Sequence, residues 1–384
     1  MRSIRSVPDV NDDGYEDFVI SSNNHKVYWI NSQNGNELFS SNDLGNSCRE
    51  VELLDDLDGN NLVEIVVEAF SNIICLNGTS STTNKTEIIW KFNSTNGETF
   101  QYIEVVNDVN SDEIKDVIIG GEGENIFCIS GNSTDNFSES IWNKNISNIT
   151  GARPLMLKKL EDTNGDGYEE VIVTDYNNTV SSLSSFNGSV NWIYKLPIRR
   201  NQGDHAQSWA ITTINDIGGD EIDDVLVASD NWNVTCLNGS TGKELWIFQT
   251  GGKVRAITTV PDITGDGKHE VVVSSYDDNI YCLNGFSGNK LWNKDTGFYS
   301  YFSDVGGNIR WLNDISGDSK PEVVLGVGTT GKVICYSSGD NGTELWDKAV
   351  DSRVRALLIV NSLVGTPAQD VLVGTNYYLT LVDG

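Results

Sequence analysis

Asp9, Asn11, Asp13 and Asp17 occupy positions one, three, five and nine of a short loop in the stretch PDVNDDGYEDFVI, and Tyr15 offers a backbone carbonyl at position seven. Oxygens alternating in this way form a ligand set for a hard cation, since calcium takes about six to eight oxygens at roughly 2.3–2.6 Å. Gly14 at position six allows the positive-φ turn that wraps an ion. The spacing is shorter than that of an EF-hand and no helices flank it, which sets that loop type aside.

The same set recurs along the chain. Asp56, Asp58, Asn60 and Glu64 repeat it with the carbonyl of Leu62; Asp108, Asn110, Asp112 and Asp116 with that of Ile114; Asp162, Asn164, Asp166 and Glu170 with that of Tyr168. Three further loops are poorer at position three. They hold Asp216, Gly218, Asp220 and Asp224; Asp262, Thr264, Asp266 and Glu270; and Asp314, Ser316, Asp318 and Glu322. An eighth keeps Asp370 but has Ser362, Val364 and Thr366 before it, and is expected to bind nothing. The alternative is that these carboxylates cap turn amides without a metal. Converging like charges argue for a cation, so several structural calcium sites are expected, each clamping two strands.

The elements that position these loops form a repeat. Loop starts at 9, 56, 108, 162, 216, 262, 314 and 362 lie 46 to 54 residues apart, taking 262 minus 216 and 216 minus 162 as the extremes. A strand such as RAITTV precedes each loop and a β-branched run follows it. A third strand then ends in a CLNG-type element, and a fourth carries Trp, as in VTCLNGSTGKELW and IYCLNGFSGNKLW. Four short strands per repeat with no helical periodicity predict an all-β, eight-bladed β-propeller of four-stranded antiparallel blades over residues 1–384, the last blade incomplete.

The acidic loop resembles the calcium loop of FG-GAP repeats in integrin-like propellers. The LNGSTGKELW element resembles the tryptophan-docking repeat of PQQ-type quinoprotein propellers. Together the two patterns span nearly the whole chain, and the likeness extends to surface proteins of archaea and bacteria. The resemblance implies the fold and a calcium role, but this architecture hosts enzymes, adhesins and scaffolds alike.

With 26 basic and 55 acidic residues, the net charge of −29 excludes a nucleic-acid or anionic-membrane partner. No apolar run reaches the roughly 18 residues of a membrane span, and MRSIRSV lacks a signal-peptide core. The chain starts on the first strand of repeat one and stops at LTLVDG. It is therefore expected to be a domain from a longer parent with a signal sequence and other modules, the alternative being a complete protein with a three-stranded last blade. Twelve N-x-S/T sequons, among them Asn77, Asn93, Asn132, Asn145, Asn148, Asn233 and Asn341, join the calcium loops in pointing outside the cell.

Cys75, Cys128, Cys236, Cys282 and Cys335 share one repeat position, held elsewhere by Trp29, Ser182 and Leu381. Equivalent positions in successive blades exceed the roughly 7 Å Cα limit for a disulfide, so buried free thiols are expected, with Cys48 left open. Two insertions could hold a ligand at one mouth of the propeller. LPIRRNQGDHAQSW carries Arg199, Arg200, Asp204, His205 and Trp209, and DTGFYSYFSDVGGNIRW carries Phe298, Tyr299, Tyr301, Phe302 and Arg310. Seven residues before each loop stand Arg2, Arg49, Gln101, Leu155, Trp209, Arg255, Gly307 and Arg355. Arginine forks and aromatic faces there suit a carbohydrate, anionic or protein ligand, and the alternative is local pairing with carboxylates such as Glu50 and Glu52.

The reading that follows is an extracellular, non-catalytic, calcium-stabilised propeller for recognition or adhesion. A polysaccharide lyase resembling rhamnogalacturonan lyase is the alternative, with His205 beside Arg199 and Arg200 as its candidate base. A quinoprotein dehydrogenase is less favoured. Many of those enzymes hold the quinone with a vicinal cysteine pair, this chain has none, and no PQQ is expected.

Overall fold

Each repeat becomes one antiparallel sheet because its strands alternate short apolar runs with Gly, Asn and Asp turns. In a computed structural model, residues 2–79, 85–94, 97–133, 137–197, 207–297, 309–328, 331–361 and 369–383 are described. Among them lie seven four-stranded sheets and one three-stranded sheet, with strands in sequential order in every one. The fold is an eight-bladed β-propeller, and the last blade has three strands, Val354–Val360, Asp370–Thr375 and Leu379–Asp383. One helical turn, Ser147–Thr150, is the helix among the described residues, and none is long and apolar enough to cross a membrane.

Two compact units make up the chain, Met1–Asp175 with Ser182–Val190, and Tyr176–Ser181 with Asn191–Gly384. Within each, apolar side chains of successive blades interdigitate. In the first unit Val19, Trp29 and Phe39 pack with Val51, Ile65 and Ile74, and Val66, Cys75 and Trp90 pack with Ile103, Val117 and Phe127. In the second, Leu226, Cys236 and Trp246 pack with Val254, Val271 and Tyr281. Second strands such as Glu270–Ser275 are buried at every residue, as expected of strands covered on both faces.

Tryptophan joins blade to blade. The Nε1–H of Trp90 donates to Gly131 O at 2.8 Å, Trp142 to Ser185 O at 2.8 Å, Trp192 to Gly239 O at 2.8 Å, Trp246 to Gly285 O at 2.8 Å and Trp292 to Ser338 O at 3.0 Å. Each acceptor belongs to the next repeat. The register shifts at the third-strand Cys, between Cys75 and Leu76 and between Cys236 and Leu237 for example. Such a bulge re-aims the residue opposite it, here the indole. Cys faces Trp across that pair, as Cys75 faces Trp90 and Cys236 faces Trp246, so a small polarizable side chain sits beside a large ring. All six cysteines are free and buried: Cys75, Cys128, Cys236, Cys282 and Cys335 as the repeat register implied, and Cys48, which the sequence left open, as well. Burial pushes Cys48 up to about 12 and the other five thiols upward too, which makes them poor nucleophiles.

The turn that follows seats the preceding blade's indole over a glycine. A Cβ on Gly242 (φ +66°) would stand 2.4 Å from Trp192, whereas one on Gly35 (φ +72°), the same turn position in blade one, meets nothing within 4 Å. Gly35→Ala should therefore cost only the positive-φ penalty, about 1–2 kcal/mol. Gly242→Ala should cost clearly more, read as a lower midpoint in urea unfolding. Trp90→Phe, which removes part of a fully buried ring and the donor to the buried Gly131 carbonyl, should cost at least about 1–3 kcal/mol in the same assay.

Candidate metal centre

The acidic loop is first a hydrogen-bonded turn. At position one, Asp56 Oδ1 accepts N–H bonds from Asp58, Gly59 and Asn60 at 3.2, 2.7 and 3.2 Å, and its Oδ2 accepts from Asn61 at 2.7 Å. Asp108, Asp162 and Asp262 repeat the arrangement, each drawing in four amides or three. Desolvation is the largest single cause and raises these carboxyls, but the amide bonds together outweigh it and hold Asp9, Asp56, Asp108, Asp162 and Asp262 below the usual range. In Asp314 the Gly317 amide is the leading cause of the same lowering. These six carboxylates are therefore ionised at neutral pH.

Position nine is the opposite case. Asp17, Glu64, Asp116, Glu170, Asp224, Glu270, Glu322 and Asp370 open the second strands, and every one is fully buried. In the seven intact loops one oxygen accepts the N–H of loop position two: Val10 at 3.1 Å, Leu57 at 3.1 Å, Val109 at 2.8 Å, Thr163 at 2.7 Å, Ile217 at 2.6 Å, Ile263 at 2.8 Å and Ile315 at 3.0 Å. Burial pushes Glu64 up to about 7 and Asp116 up to about 6, and raises Asp17, Glu170, Asp224, Glu270 and Glu322.

The second oxygen divides the loops into two groups. Where position nine is Asp, it accepts a backbone N–H from the turn after the third strand: Asp17 from Ser32 at 3.2 Å, Asp116 from Gly131 at 3.1 Å and Asp224 from Gly239 at 3.0 Å. Where it is Glu, the extra methylene carries that oxygen toward the loop. Asp56, Asp58 and Glu64 then place one oxygen each within 4.8 Å of one another, as do Asp162, Asp166 and Glu170, Asp262, Asp266 and Glu270, and Asp314, Asp318 and Glu322. Ligands around one calcium at roughly 2.3–2.6 Å stand within about 5 Å of each other, so all four sets have a suitable size. Glu64 Oε1 and Glu270 Oε1 are buried without any hydrogen-bond partner. A buried oxygen without a donor is costly, and a cation would satisfy both.

Position three completes the set differently in each loop. Asn60 Oδ1 accepts from Leu62 N at 2.7 Å, Asn164 Nδ2 donates to Glu170 Oε1 at 2.8 Å, Asn110 Nδ2 donates to Asp112 Oδ2 at 3.0 Å, and Ser316 Oγ donates to Asp314 Oδ1 at 3.4 Å. Thr264 Oγ1 lies 3.5 Å from Asp262 Oδ1. In the first loop, Asn11 Oδ1 accepts from Asp13 N at 3.0 Å. Position-seven residues donate to the side chain of position five: Tyr15 to Asp13 at 3.1 Å, Ile114 to Asp112 at 3.0 Å and Tyr168 to Asp166 at 2.9 Å. The fifth loop has its short position-one bond from Gly219 to Asp216, and Asp220 accepts from Ser240 Oγ and Asn238 Nδ2.

One residue that orients the position-five carboxylate was not legible as such in the sequence. The Asn of the CLNG-type element tethers the position-five carboxylate: Asn31 Nδ2 donates to Asp13 Oδ2 at 2.6 Å, Asn77 to Asp58 at 2.7 Å, Asn238 to Asp220 at 2.9 Å and Asn284 to Asp266 at 2.7 Å. Its recurrence 18 or 19 residues after position five is the signal that could have found it. Asn77 and Asn238 are also sequon residues, and Asn238 and Asn233 are buried.

The arginines expected to meet a ligand are engaged locally. Arg255 forks onto Asp230 at 2.7 and 2.8 Å, Lys253 joins the same carboxylate at 3.1 Å, and the guanidinium lies 4.2 Å over the Trp209 ring. Arg2 donates to Asn23 and Arg355 to Asn376, both at 2.8 Å, and Arg310 to its own neighbour's carbonyl, Ile309 O, at 2.8 Å. Arg49 provides the main charge opposing the burial that lifts Glu68 to about 8. Glu52 pairs instead with Arg5, which also lies 4.0 Å from Glu50, and Lys158 pairs with Glu104 at 3.2 Å. Arg199, Arg200, Asp204, His205, Phe298, Tyr299, Tyr301 and Phe302, with Gly307 and the eighth loop's Ser362, Val364 and Thr366, lie outside the described residues.

Comparison with known proteins agrees with this architecture. Residues 215–382, under half of the chain, match the family described as Outer membrane protein assembly factor BamB, a PQQ-type repeat. No curated protein sequence matches the chain. Among solved structures it is similar to Saccharomyces cerevisiae Sqt1, with a TM-score of 0.71 at 11% identity over 95% of this chain and 91% of that one. It is also similar to BamB from Moraxella catarrhalis, with a TM-score of 0.61 at 13% identity over 99% and 97%. The computationally designed Ika8 protein gives 0.62 at 12% over 95% and 92%. Identities this low speak for the fold alone: the chain is a β-propeller, and its residues 215–382 are similar to a PQQ-type repeat family.

Proposed function

We propose that this chain is a non-catalytic, calcium-stabilised recognition propeller that works outside the cell, its acidic loops serving as FG-GAP-type metal sites. The observation that carries the calcium reading is the set of four three-carboxylate clusters, two of which contain a buried glutamate oxygen with no partner. In each, the position-one, position-five and position-nine side chains would hold the ion. The ion would supply charge compensation for buried carboxylates and a rigid link between the first and second strands. The three loops ending in Asp17, Asp116 and Asp224 would bind more weakly, because those oxygens must first give up backbone amides. Extracellular calcium and the sequons support the location. A role in binding a protein or carbohydrate is supported by the fold, one similar propeller, BBS1N, having been solved in complex with ARL6DN.

Thermal unfolding with and without exhaustive EGTA, with bound ions counted in parallel, tests this reading. An ion held at 100 times its Kd adds about 2.7 kcal/mol per site, so four filled loops should raise the midpoint visibly. At least four calcium ions should be released. No release and no shift would leave the loops as metal-free turns.

Glu64→Gln separates the two roles of that carboxyl. In calcium the variant should lose one ion and stability; in EGTA it should be as stable as the parent or more so, since it removes repulsion from Asp58 and Asp56.

The pH dependence has a definite sign. Without metal, Glu64 has a folded value of about 7 against an ordinary 4.5, so the stability it contributes is present below the ordinary value and lost as pH rises through about 7. Calcium requires the ionised form. The calcium-dependent rise in Tm should therefore grow from pH 5 to pH 8, as read by differential scanning fluorimetry.

A further inference from the structure

Four residues before each loop start, the first six repeats carry Arg5, Glu52, Glu104, Lys158, Thr212 and Thr258 in turn. The four charged members lie on the first strands of blades one to four, Ile4–Val7, Val51–Leu54, Phe100–Val106 and Pro154–Leu160, all within one compact unit. They balance as two pairs that bridge neighbouring blades: Arg5 Nη2 donates to Glu52 Oε1, and Lys158 Nζ to Glu104 Oε1 at 3.2 Å. Burial lowers Arg5 and Lys158, but the facing carboxylates outweigh it and hold both above their ordinary values, so both are charged.

Glu50 is the odd carboxylate. It stands two residues before Glu52, at a repeat position held elsewhere by Ser3, Tyr102, Met156, Ala210 and Ala256, and gives the set three carboxylates for two cations. Its side chain is only 15% exposed. Oε2 accepts the N–H of Ile103 at 3.0 Å, so that Glu50 joins blade two to the first strand of blade three, where Ile103 is itself buried. Oε1 lies 4.0 Å from Arg5, whose Nη groups are taken by Glu52, Ser3 Oγ and Ile4 O. Burial first, then the charge of Glu52, pushes Glu50 up to about 8 against the opposing charge of Arg5, and Glu104 adds to the rise. Glu104 is raised by burial too, with Lys158 opposing. Beside Glu50 on the neighbouring second strand stands Glu68, whose amide donates to Glu50 O at 3.0 Å, and Arg49 and Arg2 are the charges that oppose the burial raising its carboxyl.

We propose that Glu50 is the proton-carrying member of a pH-sensitive latch between blades two and three. Neutral, it seats against Ile103 and leaves Arg5 with Glu52 and Lys158 with Glu104 as a balanced set. When it passes its proton to solvent, three negative charges face two positive ones at low exposure, which is costly unless the new carboxylate turns to water. Turning out takes the acceptor from the Ile103 amide, and the join between the two first strands loosens.

Hydrogen exchange of the intact chain, followed by NMR, reads the latch at a single amide. The protection of Ile103, corrected for the intrinsic rise of exchange with pH, should fall about tenfold or more between pH 6 and pH 9. Ile257, at the same repeat position in blade six, should keep its protection. In Glu50→Gln, which retains the side-chain length and an acceptor for Ile103 but cannot ionise, the fall should be absent. The melting temperature of this variant minus that of the parent should also grow from pH 5 to about pH 8, since the stability held by a carboxyl whose folded value is raised is present below its ordinary value and lost as pH rises through the folded one. Level protection of Ile103 in the parent across this range would overturn the proposal. So would the same fall in Glu50→Gln, or an equal fall at Ile257, which would mark loosening of the whole fold.

Discussion

A fully buried carboxylate at the start of every second strand is the constraint on which the other features depend. Asp17, Glu64, Asp116, Glu170, Asp224, Glu270, Glu322 and Asp370 have no exposure, and an ionised carboxylate in such a place is expensive unless its oxygens are satisfied. In the seven intact loops the first oxygen draws in the position-two amide, which folds the acidic loop back onto its strand. The second oxygen differs with the residue: in Asp17, Asp116 and Asp224 it keeps to a backbone amide, whereas Glu reaches the loop, where Glu322 Oε1 accepts from Ser316 N, Glu170 Oε1 accepts from Asn164 Nδ2, and the Oε1 of Glu64 and of Glu270 meets no donor.

The same turn serves two neighbours at once. In blade five, Asn238 holds Asp220 of its own loop while the carbonyl of Gly239, the next residue, receives Trp192. A change in the acidic loop is therefore felt where the preceding blade docks. Under the proposed calcium reading, an ion bound in the loop would stiffen its own blade and also the tryptophan contact made by the turn that Asn238 and Gly239 share. This couples local loop chemistry to the stability of each unit.

Much of this was legible in the sequence because a repeat aligns equivalent residues. The number of blades, the order of strands, the incomplete last blade and the separation of the five register-matched cysteines all follow from comparing repeats with one another. The tether made by the Asn of CLNG was not read from the sequence, because its hydrogen bond to position five joins residues from two different segments of the repeat. The distinction between Glu and Asp at position nine looked conservative in one dimension and acquires meaning only where burial limits reach. Arg255 illustrates a further limit: its fork is taken by Asp230, 25 residues earlier at the end of the preceding blade's second strand, a pairing that no repeat register displays. Arg5 with Glu52 and Lys158 with Glu104 similarly pair first strands of successive blades.

The most direct test is a crystal structure of the chain grown in calcium, with anomalous scattering used to locate the ions. The account predicts a peak about 2.3–2.6 Å from oxygens of Asp56, Asp58 and Glu64, and equivalent peaks at the other three Glu-ending loops. Glu64 Oε1 and Glu270 Oε1 should each touch a peak. Well-ordered loops in which water or a shifted amide satisfies those two oxygens, with no anomalous signal, would contradict it.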